Sequence, residues 1–231
     1  DTTSIETVDA SMNWWGSTAA SEIQTQTMGD VDFTPYLYSD TDTDGGAVGF
    51  VGDLSQVGVT ASGEQTGSPY RIQEAVDLVQ DDGTVHVSAG TYPESVSIPY
   101  ARLTLRGVTD TPSDVVIDPP AGNGITITGA DLVIENLQVR DGDRGIDGSG
   151  VAGVLHLTNV QVQANLTDGI VIRGSIGATL TDVRAEQNTD DGVDIRSIGQ
   201  VTITGSSLTS NGENGLELSD GGTLSLVDVL S

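Results

Sequence analysis

A 23-residue pattern repeats through the second half of this 231-residue chain, from Leu132 to Ser231. Counted from the start of each repeat, apolar or small residues recur two, five and seven positions later, and apolar residues recur again fifteen and seventeen positions later. Positions two residues apart share one face of a strand. Three short strands per repeat, in constant register, predict a stack of coils with parallel strands. The repeats start at Leu132, Leu155, Ala178, Val201 and Leu224.

A turn with a recurring sequence separates the second and third strands of each repeat. It begins with asparagine and ends with glycine four residues later, as in Asn165 to Gly169. Glycine permits positive φ angles, and Asn and Asp side chains satisfy turn amides. Stacked at the strand spacing of ~4.8 Å, the first residues of these turns are expected to form a ladder of amide hydrogen bonds. The ladder residues are Asn165, Asn188 and Asn211.

The period, the three strand pairs and the turn together resemble the right-handed parallel β-helix of the pectin-lyase-like superfamily. They are more similar still to its extracellular surface repeats of the haloarchaeal type. This resemblance implies an all-β, right-handed parallel β-helix solenoid with three strands per 23-residue coil and a short capping helix. It does not imply one function, because this fold carries lyases, hydrolases, epimerases, adhesins and inert spacers.

The charge of the chain restricts its partners. Eight basic residues stand against 34 acidic ones, the formal net charge is −26, and no lysine or cysteine is present. The ordered apolar repeat argues against disorder, so this composition indicates a surface adapted to very high salt. Nucleic acid is not expected as a partner, because no basic patch exists to displace counterions. Neither membrane insertion nor disulfide and thiol chemistry is expected.

Residues 1–37 are predicted to be the C-terminal end and cap of a preceding β-helix. The segment around Asn13 and the segment 31–37 resemble the NWWG…VDFTPYL signature found where surface β-helices end. An open solenoid end must be covered, and large aromatic side chains suit a lid over the last coil. A platform for stacking sugars is the alternative use of these rings. The lid residues are Trp14, Trp15, Phe33 and Tyr36.

Residues 38–67 are predicted to be an acidic linker rich in Gly, Ser, Thr and Asp. Within it, Asp40, Asp42 and Asp44 match the first half of a calcium loop, with carboxylates at alternate positions before a glycine. The position that needs a closing glutamate is Val51. The calcium site is therefore a weak candidate, and a solvated acidic linker is the alternative.

Residues 68–231 are predicted to form a second β-helix that is incomplete at its C-terminus. Ser68 and Pro69 are expected to begin a helix that closes the first coil, with its apolar residues at helical spacing. These residues are Ile72, Ala75, Val76 and Val79.

Counting on from Ser231 into Asp1 places Val8 and Ala10 fifteen and seventeen positions after Leu224. The start of the sequence would thus supply the third strand of the last coil, in register. We expect copies of the chain to follow one another head to tail, as a covalent tandem array or as a filament, since an uncovered half-coil is an unprotected edge. The junction would involve Val8, Ala10, Leu216, Leu218, Leu224, Leu226 and Val229.

Stacked carboxylates are the candidates for chemistry. Asp168 and Asp191 fall in one column, and Asp194 and Glu217 fall in another beside Arg173 and Arg196. Such columns could serve a polysaccharide lyase with calcium, but a surface ion-pair cluster is the expected use. His86 and His156 are expected to be solvated strand residues, and no Arg-x-Lys motif accompanies them.

These observations predict a non-catalytic structural repeat, extracellular or on the cell surface, such as a coat, adhesin or filament subunit of a halophile. Its mechanism would be mechanical, because stability adds up along a stack of coils. Two alternatives stay open: a carbohydrate-binding module and a polysaccharide lyase or epimerase. Copies of the chain itself and glycans are the candidate partners, and calcium is the candidate cofactor.

Overall fold

The computed structural model is a parallel β-helix, as predicted, and it describes residues 6–99, 102–129, 131–174, 177–197 and 199–231. Its helices are α1 Ala20–Gln26, α2 Arg71–Leu78 and a 3₁₀ helix at Pro112–Asp114. Its strands are β1 Val8–Asp9, β2 Val31–Asp32, β3 Tyr36–Leu37, β4 Gln56–Val59, β5 Gly83–Val87, β6 Gly90–Tyr92, β7 Val96–Ile98, β8 Leu103–Gly107, β9 Val115–Ile117, β10 Ile125–Ile127, β11 Leu132–Arg140, β12 Ile146–Gly148, β13 Val154–Gln163, β14 Ile170–Gly174, β15 Gly177–Thr181, β16 Arg184–Glu186, β17 Val193–Ser197, β18 Gln200–Thr204, β19 Leu216–Leu218 and β20 Thr223–Val227.

Most strands lie in two long sheets. Among the described residues, the larger sheet runs β20-β18-β15-β13-β11-β8-β5-β4-β3, with β6, β9 and β16 attached at its side. The smaller sheet runs β19-β17-β14-β12-β10-β7. Pairing is parallel throughout both sheets except between β3 and β4. Leu132 pairs with Leu155 and Leu155 pairs with Ala178, so the 23-residue period of the sequence is one turn of the coil.

A single residue bends the chain between the first and second strands of each coil. It has a φ angle between 51° and 61° and lies four positions after the start of the repeat. Asparagine, aspartate and glycine tolerate this left-handed conformation better than other residues. The bend therefore explains polar or small residues at an otherwise apolar face: Asn136, Asn159, Asp182, Gly205 and Asp228.

Inward-facing aliphatic side chains form one continuous core along the axis. Ile134, Leu157, Leu180 and Ile203 occupy the same position in successive coils, and each is fully buried. Burying such a side chain gains about 1.5–3 kcal/mol. Each coil is thus stabilised by the coil on either side of it.

Helix α2 covers the first coil, and Ile72, Ala75 and Val76 are its buried residues. The helix begins at Arg71, two residues after Pro69, and Ser68 does not cap it. Its first backbone N–H groups instead donate to the carboxylate of Glu94, at 3.0 Å from Arg71, Ile72 and Gln73. Burial raises the pKa of Glu94 despite these hydrogen bonds.

The N-terminal segment packs on the same end of the solenoid. β3 pairs with β4, and β4 joins the larger sheet beside β5. The segment predicted to be a linker therefore contains a strand with buried Val57 and Val59, which is a correction to that prediction. The assignment of residues 1–37 to a preceding β-helix stays a prediction.

Candidate functional site

The three turn asparagines stack along the axis. Asn165 Nδ2 donates to Asn188 Oδ1 at 2.8 Å, and Asn188 Nδ2 donates to Asn211 Oδ1 at 3.0 Å. The backbone N–H of each donor residue points to the same oxygen, at 3.2 and 3.1 Å. Asn165 and Asn188 are buried, and Asn211 is half-buried at the open end. The ladder therefore runs through the last described coils as an internal structural feature.

The turn glycines are required for space. None of Gly169, Gly192 and Gly215 has a φ angle in the left-handed region, contrary to the sequence-based expectation. A Cβ atom on Gly169 would lie 2.7 Å from Asn188 Nδ2, because the ladder passes directly beside it. The left-handed conformation belongs instead to the residue before each asparagine: Ala164, Gln187 and Ser210.

The outer face of the smaller sheet carries a column of carboxylates. Asp147, Asp194 and Glu217 are in register there, with Val171 between the first two. The carboxylate of Asp194 is fully buried and contacts Arg173 at 3.3 Å and Arg196 at 3.0 Å. A buried carboxylate held by two guanidinium groups is a fixed ion pair rather than a free base.

The neighbouring turn column is held by amides. Asn214 donates both its backbone N–H and its side-chain Nδ2 to Asp191 Oδ1 at 2.9 Å. Burial raises the pKa of Asp168, one coil earlier. A hydrogen bond with Asp191, together with the negative charge of that residue, raises the pKa of Glu217. The two columns thus form a network of carboxylates, arginines and amides. Arg173 and Arg196 pair with Asp194 as predicted, but its carboxylate is buried rather than at the surface.

Neither histidine joins this network. His156 is exposed on the larger sheet, as expected. His86 is more enclosed than expected: its ring stacks on Tyr38 with centroids 4.0 Å apart, and its Nε2 lies 3.0 Å from Gln56 Oε1. Burial, followed by the charge of Arg106, lowers the pKa of His86 to about 4. This corrects the prediction of a solvated residue, since the enclosed ring is neutral at physiological pH.

The candidate calcium loop does not assemble into a metal centre. Asp42 Oδ1 accepts the backbone N–H groups of Asp44 and Val51, and Asp44 Oδ1 accepts that of Gly46. In the part of the chain that the structure describes, no group of three or more His, Cys, Asp or Glu side chains is placed to hold a metal ion. The structure therefore gives the calcium prediction at Asp40, Asp42 and Asp44 no support.

The lid aromatics lie at the N-terminal end. Phe33 and Tyr36 are buried in a small cluster with Ile23, and Trp15 packs against it. Trp14 packs against the main core. Both indole rings are half-buried. Their packing matches a cap more closely than an open sugar platform, and the core that Trp14 contacts is that of this same chain. That the four aromatics cap a preceding β-helix stays a prediction.

At the opposite end of the solenoid, no described residue covers the apolar face of the last coil. Leu218 is 43% exposed and Leu226 49% exposed, whereas Ile195 and Ile203, one coil earlier in the same columns, are fully buried. Leu216, Leu224 and Val229 are half-buried beside them. The edge of β19 away from β17 has no partner strand among the described residues.

Strands β1 and β2 form a separate two-stranded sheet with the period of the solenoid. Val8 pairs with Val31 and Asp9 with Asp32, in parallel and at the sequence interval of one coil. Val8 is 59% exposed. Within one chain, β1 lies close enough to helix α2 for the charge of Asp9 to raise the pKa of Glu74. A single chain therefore does not bring Val8 and Ala10 to Leu216 and Leu218; it presents the two sets at opposite ends.

Stacked parallel coils, an asparagine ladder and a continuous aliphatic core define a protein of the β-solenoid class. The sequence matches the family model described as "Right handed beta helix region" over residues 104–229, more than half of the chain. The chain belongs to this family, which also gives the hand of the coil.

Two solved structures are similar to this chain at low identity. An alginate lyase from Paenibacillus sp. str. FPU-7 has 10% identity and a TM-score of 0.38, over 76% of this chain and 99% of the lyase. A pectin methylesterase from Aspergillus niger has 17% identity and a TM-score of 0.35, over 74% of this chain and 84% of the esterase. No curated protein matches the sequence. Such distant likeness says nothing about activity. No helix among the described residues is long and apolar enough to cross a membrane.

Proposed function

We propose that this chain is a non-catalytic structural repeat of an extracellular coat, adhesin or filament of a salt-adapted organism. Copies of it join end to end through a shared β-helix coil. The observation that carries the proposal is the pairing of Val8 with Val31, which are separated in the sequence by one coil period. The same interval separates Val193 from Leu216 in the last coils, so β1 has the register of the strand that would follow β19.

The backbone hydrogen bonds of both ends follow one rule. The N–H of Val193 donates to the carbonyl of Gly215, and the N–H of Val8 donates to that of Asp30. In both cases the acceptor directly precedes the residue that pairs with the donor, Leu216 or Val31. Extended across a junction, this rule makes the N–H of Leu216 donate to Thr7 of the next copy. The N–H of Leu218 would donate to Asp9 of that copy.

Side chains at the two ends are matched in kind. Val8 would lie over Leu216 and Ala10 over Leu218. The residue between them, which points outward, is acidic in both strands: Asp9 and Glu217. Covering two half-exposed leucines gains about 1 kcal/mol each. Pairing also satisfies the edge of β19 that has no partner strand among the described residues.

The alternative functions have less support. The indole of Trp14 packs on the core, which leaves it poorly placed to stack on a sugar. Asp194 is held by two arginines and Asp191 by the amides of Asn214, so neither is placed as a free base. Incubation with uronate polysaccharides and calcium in high salt should give no unsaturated product. Turnover that is lost in Asp191→Asn would replace the structural proposal with a lyase.

A two-copy chain, in which Ser231 of copy one is followed directly by Asp1 of copy two, tests the junction. Hydrogen exchange should show the amides of Leu216 and Leu218 strongly protected in copy one and weakly protected in copy two. Equally weak protection in the two copies would show that no shared coil forms.

Position-matched variants make this test specific. Val8→Asp in copy two places a charge in the proposed junction and should abolish the protection of Leu216 in copy one. The same substitution in copy one lies at a free end, where Val8 is 59% exposed, and should leave that protection unchanged. Loss of protection from both substitutions would indicate general unfolding rather than a junction.

A further inference from the structure

The acidic column on the smaller sheet continues across the proposed junction. Asp194 pairs with Glu217 in register, and Asp9 pairs with Asp32 in register. If β1 of the next copy follows β19, Glu217 and Asp9 become neighbours at the strand spacing of ~4.8 Å. Directly opposed like charges destabilise a sheet.

Carboxylates inside the column are compensated in each case. Asp194 has Arg173 and Arg196, and Asp147 has Arg144 at 3.0 Å. Asp32, which is buried, accepts hydrogen bonds from Thr66 N at 2.7 Å, Thr66 Oγ1 at 3.1 Å and Thr34 N at 3.1 Å. Each buried carboxylate, in the column or on β2, is thus accompanied by cations or by several donors.

Glu217 lacks this compensation. Its Oε2 lies 3.8 Å from Arg196 Nη2, while the closer Arg196 Nε contact goes to Asp194. The groups facing Glu217 are Asp191, Asp194 and Arg196, and the nearby charge of Asp191 opposes its ionisation. The glutamate therefore meets the junction with an excess of negative charge around it.

The incoming face is acidic as well. Asp9 accepts hydrogen bonds from Ser11 N at 3.1 Å and Ser11 Oγ at 2.8 Å, and no arginine contacts it in the described structure. Behind it lie Asp32 and Glu74; burial, and then the charges of Asp32 and Asp9, raise the pKa of Glu74. Arg71 is the cation on this side, and its guanidinium donates to the carbonyls of residues 60, 62 and 63.

We propose that Glu217 of one copy and Asp9 of the next form a like-charge gate, so that uptake of a proton or screening of this pair strengthens joining. The inference rests on the proposed end-to-end joining and adds its control. The sign follows from linkage: Glu217 already has a raised pKa, and the charge of Asp9 raises it further on joining. The joined state therefore binds more protons, and joining strengthens as the pH falls.

The two-copy chain tests the gate through the protection factors of Leu216 and Leu218 in copy one, corrected for intrinsic exchange rates. At neutral pH and low salt, Glu217→Gln in copy one should raise them about two- to fivefold, the range for one opposed like-charge pair. Asp9→Asn in copy two should do the same. The same substitutions at the free ends, Glu217 of copy two and Asp9 of copy one, should change nothing.

Coupling and salt complete the test. Once either charge is removed, removal of the other should add little, since both belong to one pair. The gain from Glu217→Gln should shrink at pH 5 and in molar salt, where the Debye length is about 3 Å. The gate is overturned if the amides are protected but these substitutions do not change their protection, or if Glu217→Gln lowers it. In either case the junction itself is still supported. Unprotected amides at every pH and salt would instead overturn the proposed joining.

Discussion

Asn165 donates its side-chain amide to Asn188 Oδ1 over 2.8 Å, and both residues are shielded from water. The two lie in successive coils, so this bond connects coil to coil through side chains as the sheets do through the backbone. Because Asn188 Oδ1 also accepts the N–H of Asn165 at 3.2 Å, one oxygen satisfies two buried donors.

Replacing Asn188 with alanine removes the middle of the ladder. Two donors of Asn165 then lose their acceptor in a buried place, and each unsatisfied group costs about 1–3 kcal/mol. We expect Asn188→Ala to lower the free energy of unfolding by about 3–5 kcal/mol, measured by urea titration. Asn211→Ala is the control: its site is half-buried, so water can replace the lost partners and the loss should be clearly smaller. A loss below about 1 kcal/mol in Asn188→Ala would show that the ladder does not stabilise the fold.

Replacing Glu94 tests the cap of helix α2. Its two oxygens accept three backbone N–H groups, whereas glutamine offers one oxygen and a donor. Glu94→Gln should therefore lower the free energy of unfolding by about 1–3 kcal/mol. Glu64→Gln makes the same change on an exposed loop and should have little effect. A harmless Glu94→Gln would mean that water or Ser68 caps the helix instead.

The solenoid itself could be predicted because its sequence repeats. A constant period fixes which residues stack, and the alternation within each strand pair fixes which face turns inward. The ladder of Asn165, Asn188 and Asn211 followed from the same count. The bend at Asn136 obeys the same period, since polar or small residues recur four positions after the start of each repeat.

Features that occur once were not predictable in this way. The strand at Gln56–Val59 has only two apolar residues around a glycine, and it is a strand because it adds to the sheet beside β5. Glu94 caps a helix that begins 23 residues earlier in the chain, a partnership that no local pattern reveals. His86 is enclosed by Tyr38, which comes from the segment predicted to be a linker.

The stability of the protein should depend on His86 below neutral pH. Its pKa of about 4 in the folded chain is lower than the ordinary value near 6.5, mainly because of burial. A lowered histidine pKa stabilises the folded state above pH 6.5, and this contribution is lost as the pH falls towards 4. The melting temperature of His86→Asn should therefore fall less between pH 7 and pH 4 than that of the wild type.

Two measurements check the assignment of this effect. The ring protons of His86 should titrate near pH 4 in an NMR series. His156→Asn, at an exposed position, should leave the difference in melting temperature between pH 7 and pH 4 as it is in the wild type. A midpoint for His86 above pH 6 would contradict its enclosure by Tyr38.

Leu218 and Ile195 occupy the same column one coil apart, which makes them a matched pair for the open end. Ile195 is fully buried, so Ile195→Ala should cost about 2–5 kcal/mol of unfolding free energy. Leu218 is 43% exposed, so Leu218→Ala in a single chain should cost less than about 1 kcal/mol. In copy one of a two-copy chain the same substitution faces Ala10 of copy two, and its cost should rise by about 1–2 kcal/mol because the leucine is now covered. Denaturant unfolding of the three variants and their two parents measures each difference. An unchanged cost of Leu218→Ala in the two-copy chain would show that the terminal coil stays uncovered.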